Sequence, residues 1–476
     1  MLPLLLLTLY GLAFTLLAWK NFRLAIGLFI IGLPTYLIRF KVGPLPSTLL
    51  ELMFGVLFLV WLVKHARADW SHIKEQLTIN KLFFVLCSLF FLASIAGIFV
   101  SDMWYYSLGQ WRAYFLEPML VFVMLVGRVD DDKSPLGRGG HFAVPPTATP
   151  ASSPTPTPPQ RGMLAYCATA LQPTTLTPTN LIWFLALSTL SISIFGILQR
   201  FTGWHIGNVD WIALQTHRIT SFFLSPNAVG LYLGPIVPLI LFLILHYRKN
   251  NHTSPPKTIS PYLLISLSLI STLVILLTKS LGTFTALVLG TVLFTYLIGH
   301  KKIALIATLI TIAFIAAYFL LPTSYFPQQK SQSLTNRLTL WSYSWNYLTQ
   351  SPKNFLFGTG IRQFFRKIQK PHYDVKKMER LIYPHNIFLN FWTEIGLVGM
   401  CSFVVICYLL FVICYKIYQH SDKLLSASLI TALTIIILHG LIDVPYFKND
   451  LAMLFWILAA IVISSHQYYV TTDSIT

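Results

Sequence analysis

Hydrophobic residues fill this chain in long blocks separated by polar breaks. Runs long enough to cross about 30 Å of hydrocarbon fall near residues 2–19, 24–38, 45–63, 82–100, 112–127, 180–199, 222–247, 261–278, 282–299, 303–321, 387–415, 424–442 and 451–470. The pattern predicts an all-α, polytopic helical membrane protein with about 12–13 transmembrane helices and one long extracytoplasmic loop between residues 322 and 385. The first two runs are short, and a hairpin or partial span there would leave twelve. The first run is apolar from its second residue and lacks the basic start and small-residue cleavage site of a secretory signal, so it is expected to stay as a span.

The polar breaks divide into two sets. One carries clusters of basic residues: Lys20 and Arg23; Lys64, Arg67, Lys74 and Lys81; Arg128, Lys133, Arg138 and Arg161; Arg248, Lys249 and Lys257; Lys301 and Lys302; Lys416 and Lys423. Short cytoplasmic loops concentrate lysine and arginine, so this set is expected in the cytoplasm and the sparser set outside. The loop 322–385 then lies outside and the C-terminus inside.

The segment 128–179 interrupts the alternation with Asp130-Asp131-Asp132 and a Pro/Thr/Ser tract, which cannot bury a core and favours extended or disordered chain. The expected organisation is N-terminal transmembrane helices over 1–127, a flexible cytoplasmic insert over 128–179, a helical core over 180–321, an extracytoplasmic basic loop over 322–385, and C-terminal helices over 386–476.

Composition fits this reading. With 55% hydrophobic and 11% charged residues, no single soluble core could hold the chain. The formal net charge of +18 is read by its location in loops, and no nucleic-acid partner is expected. Five cysteines lack CxxC or metal-ligand spacing and are read as small packing residues, so neither a disulfide framework nor a metal site is expected.

The stretch 383–399 closes the long polar loop and opens an apolar helix. Pro384 stops any preceding helix, Asn386 can cap the next, and His385 sits at the junction with a side chain able to exchange protons near neutrality. Asn386, Asn390 and Glu394 recur every fourth residue, so one polar stripe descends into the membrane, where an ionisable group is expensive and marks function.

Other polar groups share the predicted outer side. The loop before His385 holds ten basic residues against two acidic ones, a field that gathers anions. Within it, residues 336–349 place Leu338, Trp341, Trp345 and Leu348 on one expected helix face, with Arg337 at its start. Arg362, Arg366 and Lys370 follow at four-residue spacing after Gly358-Thr359-Gly360, a turn small enough for close approach to a ligand. Their bland alternative is contact with anionic lipid headgroups. Upstream, Arg218 precedes Asn227 and Pro226 at the mouth of an apolar run, where a freed carbonyl suggests irregular backbone lining a cavity; a snorkelling anchor is the alternative. Lys279 starts a tight turn and could be another anchor, Arg112 and Glu117 could form an ion pair, and His439 near Asp443 reads as a core histidine.

Together these stretches resemble the O-antigen ligase and polymerase family: Arg218 to Asn227, Thr278 to Gly282, Arg337 and Trp341 followed by Pro352, Gly358 and Gly360, and His385-Asn386 with Leu389, Glu394 and Gly396. Each is weak alone; their order and the long loop before His385 carry the resemblance. It implies a membrane glycosyltransferase of the bacterial cytoplasmic membrane. The donor would be a glycan on undecaprenyl diphosphate at the outer leaflet, and the acceptor a glycan, lipid or protein. The arginines matching Arg218 and Arg337 would engage the diphosphate and the histidine matching His385 would be the base, making these three the catalytic candidates. Asn227, Lys279, Arg362, Arg366, Asn386 and Glu394 are the candidate substrate-binding residues. Where the family often has Ser-Arg-Gly, this chain has Ser280-Leu281-Gly282, and Lys279 is the candidate substitute.

No metal or other cofactor is expected, since the outer loop lacks paired carboxylates and no glycine-rich phosphate loop follows a strand. Two other classes fit parts of the pattern. A polysaccharide or solute transporter would explain the spans and Glu394 but not the basic loop, and transporters more often show internal repeats. A non-enzymatic scaffold would leave the arginines and His385 without a role.

Overall fold

A computed structural model describes residues 2–42, 45–129, 176–212, 217–250, 261–320, 328–374 and 380–473. Most of the insert 128–179, with Cys167, lies outside the described residues, as do Lys376, Lys377 and Glu379 of the basic loop.

Every apolar run becomes helical. In chain order the helices are α1 (Leu2–Lys20), α2 (Phe22–Ile31), α3 (Leu49–Lys64), α4 (Ala66–Ile79), α5 (Lys81–Val100), α6 (Trp104–Trp111), α7 (Glu117–Arg128), α8 (Pro178–Thr202), α9 (Val209–Ile212), α10 (Pro226–Asn250), α11 (Pro261–Leu277), α12 (Leu281–Leu297), α13 (Lys301–Leu320), α14 (Gln328–Thr349), α15 (Pro352–Phe357), α16 (Ile387–His420), α17 (Lys423–Gly440) and α18 (Asn449–Asp473). The protein is an all-α, polytopic membrane protein. Among the described residues six helices are individually long and apolar enough to cross a bilayer, and a seventh crossing arises if α3 and α4, bent by 93°, count as one. Several other apolar helices are shorter. Helix α2 alone rises about 15 Å, and a 3₁₀ turn, Leu33–Leu37, continues it before a small hairpin that pairs Arg39–Val42 with Leu45–Thr48.

The core is built around α18, buried from Leu451 to Ile463. Beneath the loop that follows α17, Phe391 stacks among Phe403 at 4.1 Å, Phe447 at 4.7 Å and Tyr446 at 5.0 Å. Interlocked aromatic rings of this kind make a stiff floor.

Contacts sort the loops by bundle end. Lys64 donates to the Trp19 carbonyl, Arg128 pairs with Asp69, and His466 meets Asn80, which gathers breaks of the lysine- and arginine-rich set. At the opposite end Arg112 pairs with Glu51 at 2.7 Å and, as expected, with Glu117 at 3.2 Å. That end also carries 217–225, 278–280, 328–374, 380–386 and 441–448.

Three local expectations change. Pro226 is the first residue of α10, where its missing N–H costs nothing, so the irregular stretch precedes it. Helix α14 begins well before Arg337 and buries Leu340, Ser344 and Leu348, whereas Leu338 and Trp345 are exposed. Gly358-Thr359-Gly360 approaches protein backbone: a Cβ on Gly358 (φ +68°) would lie 2.4 Å from the Thr393 and Trp392 carbonyls, and the Thr359 N–H donates to the Thr393 carbonyl at 2.7 Å. The turn docks where Gly396, at φ +77°, breaks α16.

Candidate functional site

The irregular segment 217–225 is held by Gln199 on α8, whose Oε1 accepts the N–H groups of Thr220 (2.7 Å) and Ser221 (2.8 Å). This clamp fixes Arg218 over the end of α11. Its Nε donates to the Thr278 carbonyl at 2.9 Å, and the guanidinium lies 5.9 Å from the Trp211 ring centre. Burial, and then the neighbouring Arg337, lower the proton affinity of Arg218. Neither arginine pairs with a carboxylate among the described residues.

Arg337 arrives on α14. One turn later, Trp341 donates its Nε1 proton to the Pro384 carbonyl at 2.9 Å, pinning the helix to the residue before His385. His385 adopts φ +53°, an uncommon conformation for a side chain with a Cβ, immediately before α16. Asn386 caps that helix, accepting from the Phe388 and Leu389 N–H groups, and donates across to the Leu441 carbonyl at 3.0 Å.

His385 Nδ1 lies 3.2 Å from Asp443 Oδ1, and Asn227 donates to Asp443 Oδ2 at 2.9 Å. The Val444 N–H also donates to Oδ1. Burial alone would raise the Asp443 pKa, but His385, His439 and Arg337 together hold the carboxyl well below the usual carboxylate range. An ionised carboxylate only accepts hydrogen bonds, so His385 Nδ1 carries a proton and Nε2 is the nitrogen left to exchange one. The His385 side chain is 23% exposed, whereas that of Asp443 is 7% exposed.

His439, expected as a core histidine, is buried at the end of α17, with Nε2 3.5 Å from Thr283 Oγ1. Thr283 bonds Ser280, the N-cap of α12, so the turn at Lys279 joins the same neighbourhood through His439 and the Arg218 contact to Thr278. Lys279 is exposed at φ +50°, and Leu281 brings no cation to the turn.

His385 and Asn227 therefore bond Asp443, Arg337 acts on its charge and neighbours Arg218, and Asn386 bonds Leu441 two residues before it. Glu394 and Arg362 form a second group. Glu394 is buried on α16, its Oε2 accepting from the Arg362 N–H at 3.2 Å and from Gln110 at 3.4 Å. Arg362 lies over the Tyr106 ring at 5.4 Å. The expected stripe of Arg362, Arg366 and Lys370 is not one helical face: Arg362 has φ +64°, Phe364–Gln369 winds as a π-helix, and Lys370–His372 tightens to 3₁₀. A wider turn rotates every fourth residue off a common line. Arg366 is exposed and makes no hydrogen bond or ion pair among the described residues. Asn386, Asn390 and Glu394 do lie along the first turns of α16, and both polar atoms of Asn390 are buried without a partner among the described residues.

Sequence reasoning missed Asp443 as the partner of His385. The signal was a polar pair, His439 and Asp443, one turn apart at the end of an apolar run. Among the described residues no group of three or more His, Cys, Asp or Glu side chains could hold a metal ion.

Residues 222–404 match the family model described as O-antigen ligase. The matched stretch contains Asn227, Arg337 and His385; Arg218 lies just before it and Asp443 beyond its end. No curated protein matches the chain.

Proposed function

We propose that the chain, whose residues 222–404 match the O-antigen ligase family model, transfers a glycan from a polyprenyl diphosphate such as undecaprenyl diphosphate to an acceptor hydroxyl. The observation that carries this reading is the pair Arg218 and Arg337. Arg337 stands close enough to disfavour the charge on Arg218, and with neither arginine ion-paired to a carboxylate among the described residues the two form a site that an anion relieves. A diphosphate supplies that anion, and planar guanidinium forks suit its oxygens.

The neighbouring residues supply the rest of the chemistry. His385 Nε2 takes the proton as the acceptor oxygen bonds the anomeric carbon. The bond from that carbon to the diphosphate oxygen breaks, and the two arginines stabilise the charge that builds on the departing group. Asp443 holds the imidazole in its reactive tautomer and stabilises the imidazolium that forms, the role a carboxylate plays beside a catalytic histidine. Direct attack inverts the anomeric configuration. The lysine- and arginine-rich breaks at the opposite end of the bundle support an outward-facing site at the bacterial cytoplasmic membrane.

The test is purified protein in liposomes given a polyprenyl-diphosphate oligosaccharide. Free polyprenyl diphosphate and a new glycosidic linkage are the expected products. A ladder from one repeat unit identifies a polymerase, and one discrete product on a second acceptor a ligase. Movement of intact lipid-linked glycan across the bilayer without a new linkage would replace this reading with transport.

A further inference from the structure

The group around Glu394 forms a surface that the diphosphate chemistry leaves unused. Tyr106 and Gln110 lie about one turn apart on α6, and Tyr114 follows in a π-helical turn, Arg112–Leu116. Tyr106 is 53% exposed and carries the Arg362 guanidinium at 5.4 Å from its ring centre. Gln110 donates to the buried Glu394 carboxylate, which also receives the Arg362 N–H. Glu394 thus fixes the Gln110 amide from below, and its Oε1 is buried without a partner among the described residues. Tyr114 neighbours Tyr383, Glu394 and Arg362. Tyr383 donates its hydroxyl to the Phe447 carbonyl at 3.1 Å, and it stands two residues from His385. The strip therefore leads from an exposed aromatic ring to the edge of the transfer site.

Its side chains have the chemistry of saccharide recognition. Aromatic faces take the apolar faces of pyranose rings, a guanidinium donates to hydroxyls, and a carboxamide both donates to and accepts from them. Trp104 and Tyr105 are also exposed and fit an aromatic belt at the bilayer surface, but a belt needs no stacked guanidinium or buried carboxylate. We propose that Tyr106, Gln110 and Arg362, positioned by Glu394, form a glycan subsite that holds sugar units of the donor or acceptor beside His385. The proposal rests on the glycosyl-transfer reading for which glycan is bound, but its binding test does not.

The full chain in detergent is titrated with free maltohexaose, cellohexaose and isomaltohexaose, and separately with sugar-free polyprenyl diphosphate. Tyr106→Ala is expected to weaken hexasaccharide binding at least tenfold and leave the lipid diphosphate unaffected, whereas Arg218→Ala does the reverse. Tyr106→Trp keeps a ring and is expected to retain hexasaccharide binding, which separates a lost contact from a damaged fold. In turnover, a raised KM for the acceptor alone assigns the subsite to the acceptor glycan, and a raised KM for the donor alone assigns it to the donor. Wild-type protein that transfers glycan yet binds none of the three hexasaccharides, or Tyr106→Ala with unchanged saccharide affinity, would overturn the subsite and leave the transferase reading intact. Saccharide binding without transfer would retain the subsite and remove the transferase reading.

Discussion

Asp443 lies 3.2 Å from His385, Oδ1 to Nδ1, although 58 residues separate them in the chain. The contact forms because α16 starts and α17 ends at the same end of the bundle, with the Asn386 side chain bonded to the Leu441 carbonyl beside it. A carboxylate on Nδ1 leaves Nε2 as the basic atom. Replacing His385 by alanine is therefore expected to lower the transfer rate by roughly 10² to 10⁴, with little change in donor affinity. Single-turnover rates and binding of a sugar-free polyprenyl diphosphate to the purified variant measure both. Turnover equal to the parent's would remove His385 as the base.

Asp443→Asn tests the partner. Its amide cannot hold the same proton arrangement, so the rate should fall by at least tenfold while the donor still binds. The pairing also has a pH signature. The folded-state pKa of Asp443 is depressed below its unfolded value of about 3.9, so its contribution to stability is present above that value and is lost only as pH falls through the lower folded value. The difference in thermal midpoint between parent and Asp443→Asn should therefore not shrink between pH 8 and pH 5. A gap that closes over that window would show that Asp443 takes up a proton there.

Arg218 and Arg337 should behave as a binding pair rather than as structural braces. Each charged hydrogen bond to phosphate is worth about 1.5–3 kcal/mol, so Arg218→Ala and Arg337→Ala should each weaken polyprenyl-diphosphate binding by roughly 10- to 100-fold. Because Arg337 disfavours the Arg218 charge while favouring the Asp443 carboxylate, removing Arg337 should change the ligand-free thermal midpoint little. A large loss of ligand-free stability with normal diphosphate affinity would make these arginines structural.

The same residues show how much the chain disclosed before folding. Apolar blocks located the helices because burial in hydrocarbon requires long apolar runs and internally satisfied backbone. Arg218, Arg337 and His385 were legible as fixed charges and a proton acceptor at the ends of those blocks, and they do gather. Asp443 was not assigned a partner because one polar residue at a helix end has many reasons to exist, and only the approach of α10, α16 and α17 brings Asn227 and His385 onto its two oxygens. The face of α14 was misjudged for a similar reason. Periodicity groups Leu338 with Trp345, but packing against Phe364 and Ile368 buries Leu340 instead. Glycine spacing correctly signalled a close approach at Gly358 without revealing that the nearby group is the backbone of α16.

Trp341 offers the sharpest test of how the site is held. Its Nε1 proton bonds the Pro384 carbonyl at 2.9 Å, and Arg337 stands one turn earlier on the same helix. That single bond joins the helix bearing Arg337 to the loop bearing His385. Trp341→Phe keeps a ring in place and removes the donor, so its stability cost should be about 1 kcal/mol. If the bond sets the register of Arg337 against His385, kcat should fall about three- to tenfold, and Arg337→Ala should cost less in the Trp341→Phe background than in the parent. Contacting or networked residues show coupling of roughly 0.5–3 kcal/mol, whereas independent sites add within about 0.5 kcal/mol. Kinetics and lipid-diphosphate affinities of the two single variants and the double variant measure that coupling. Strict additivity with a parental kcat for Trp341→Phe would show that the bond stabilises the loop without aligning the two groups.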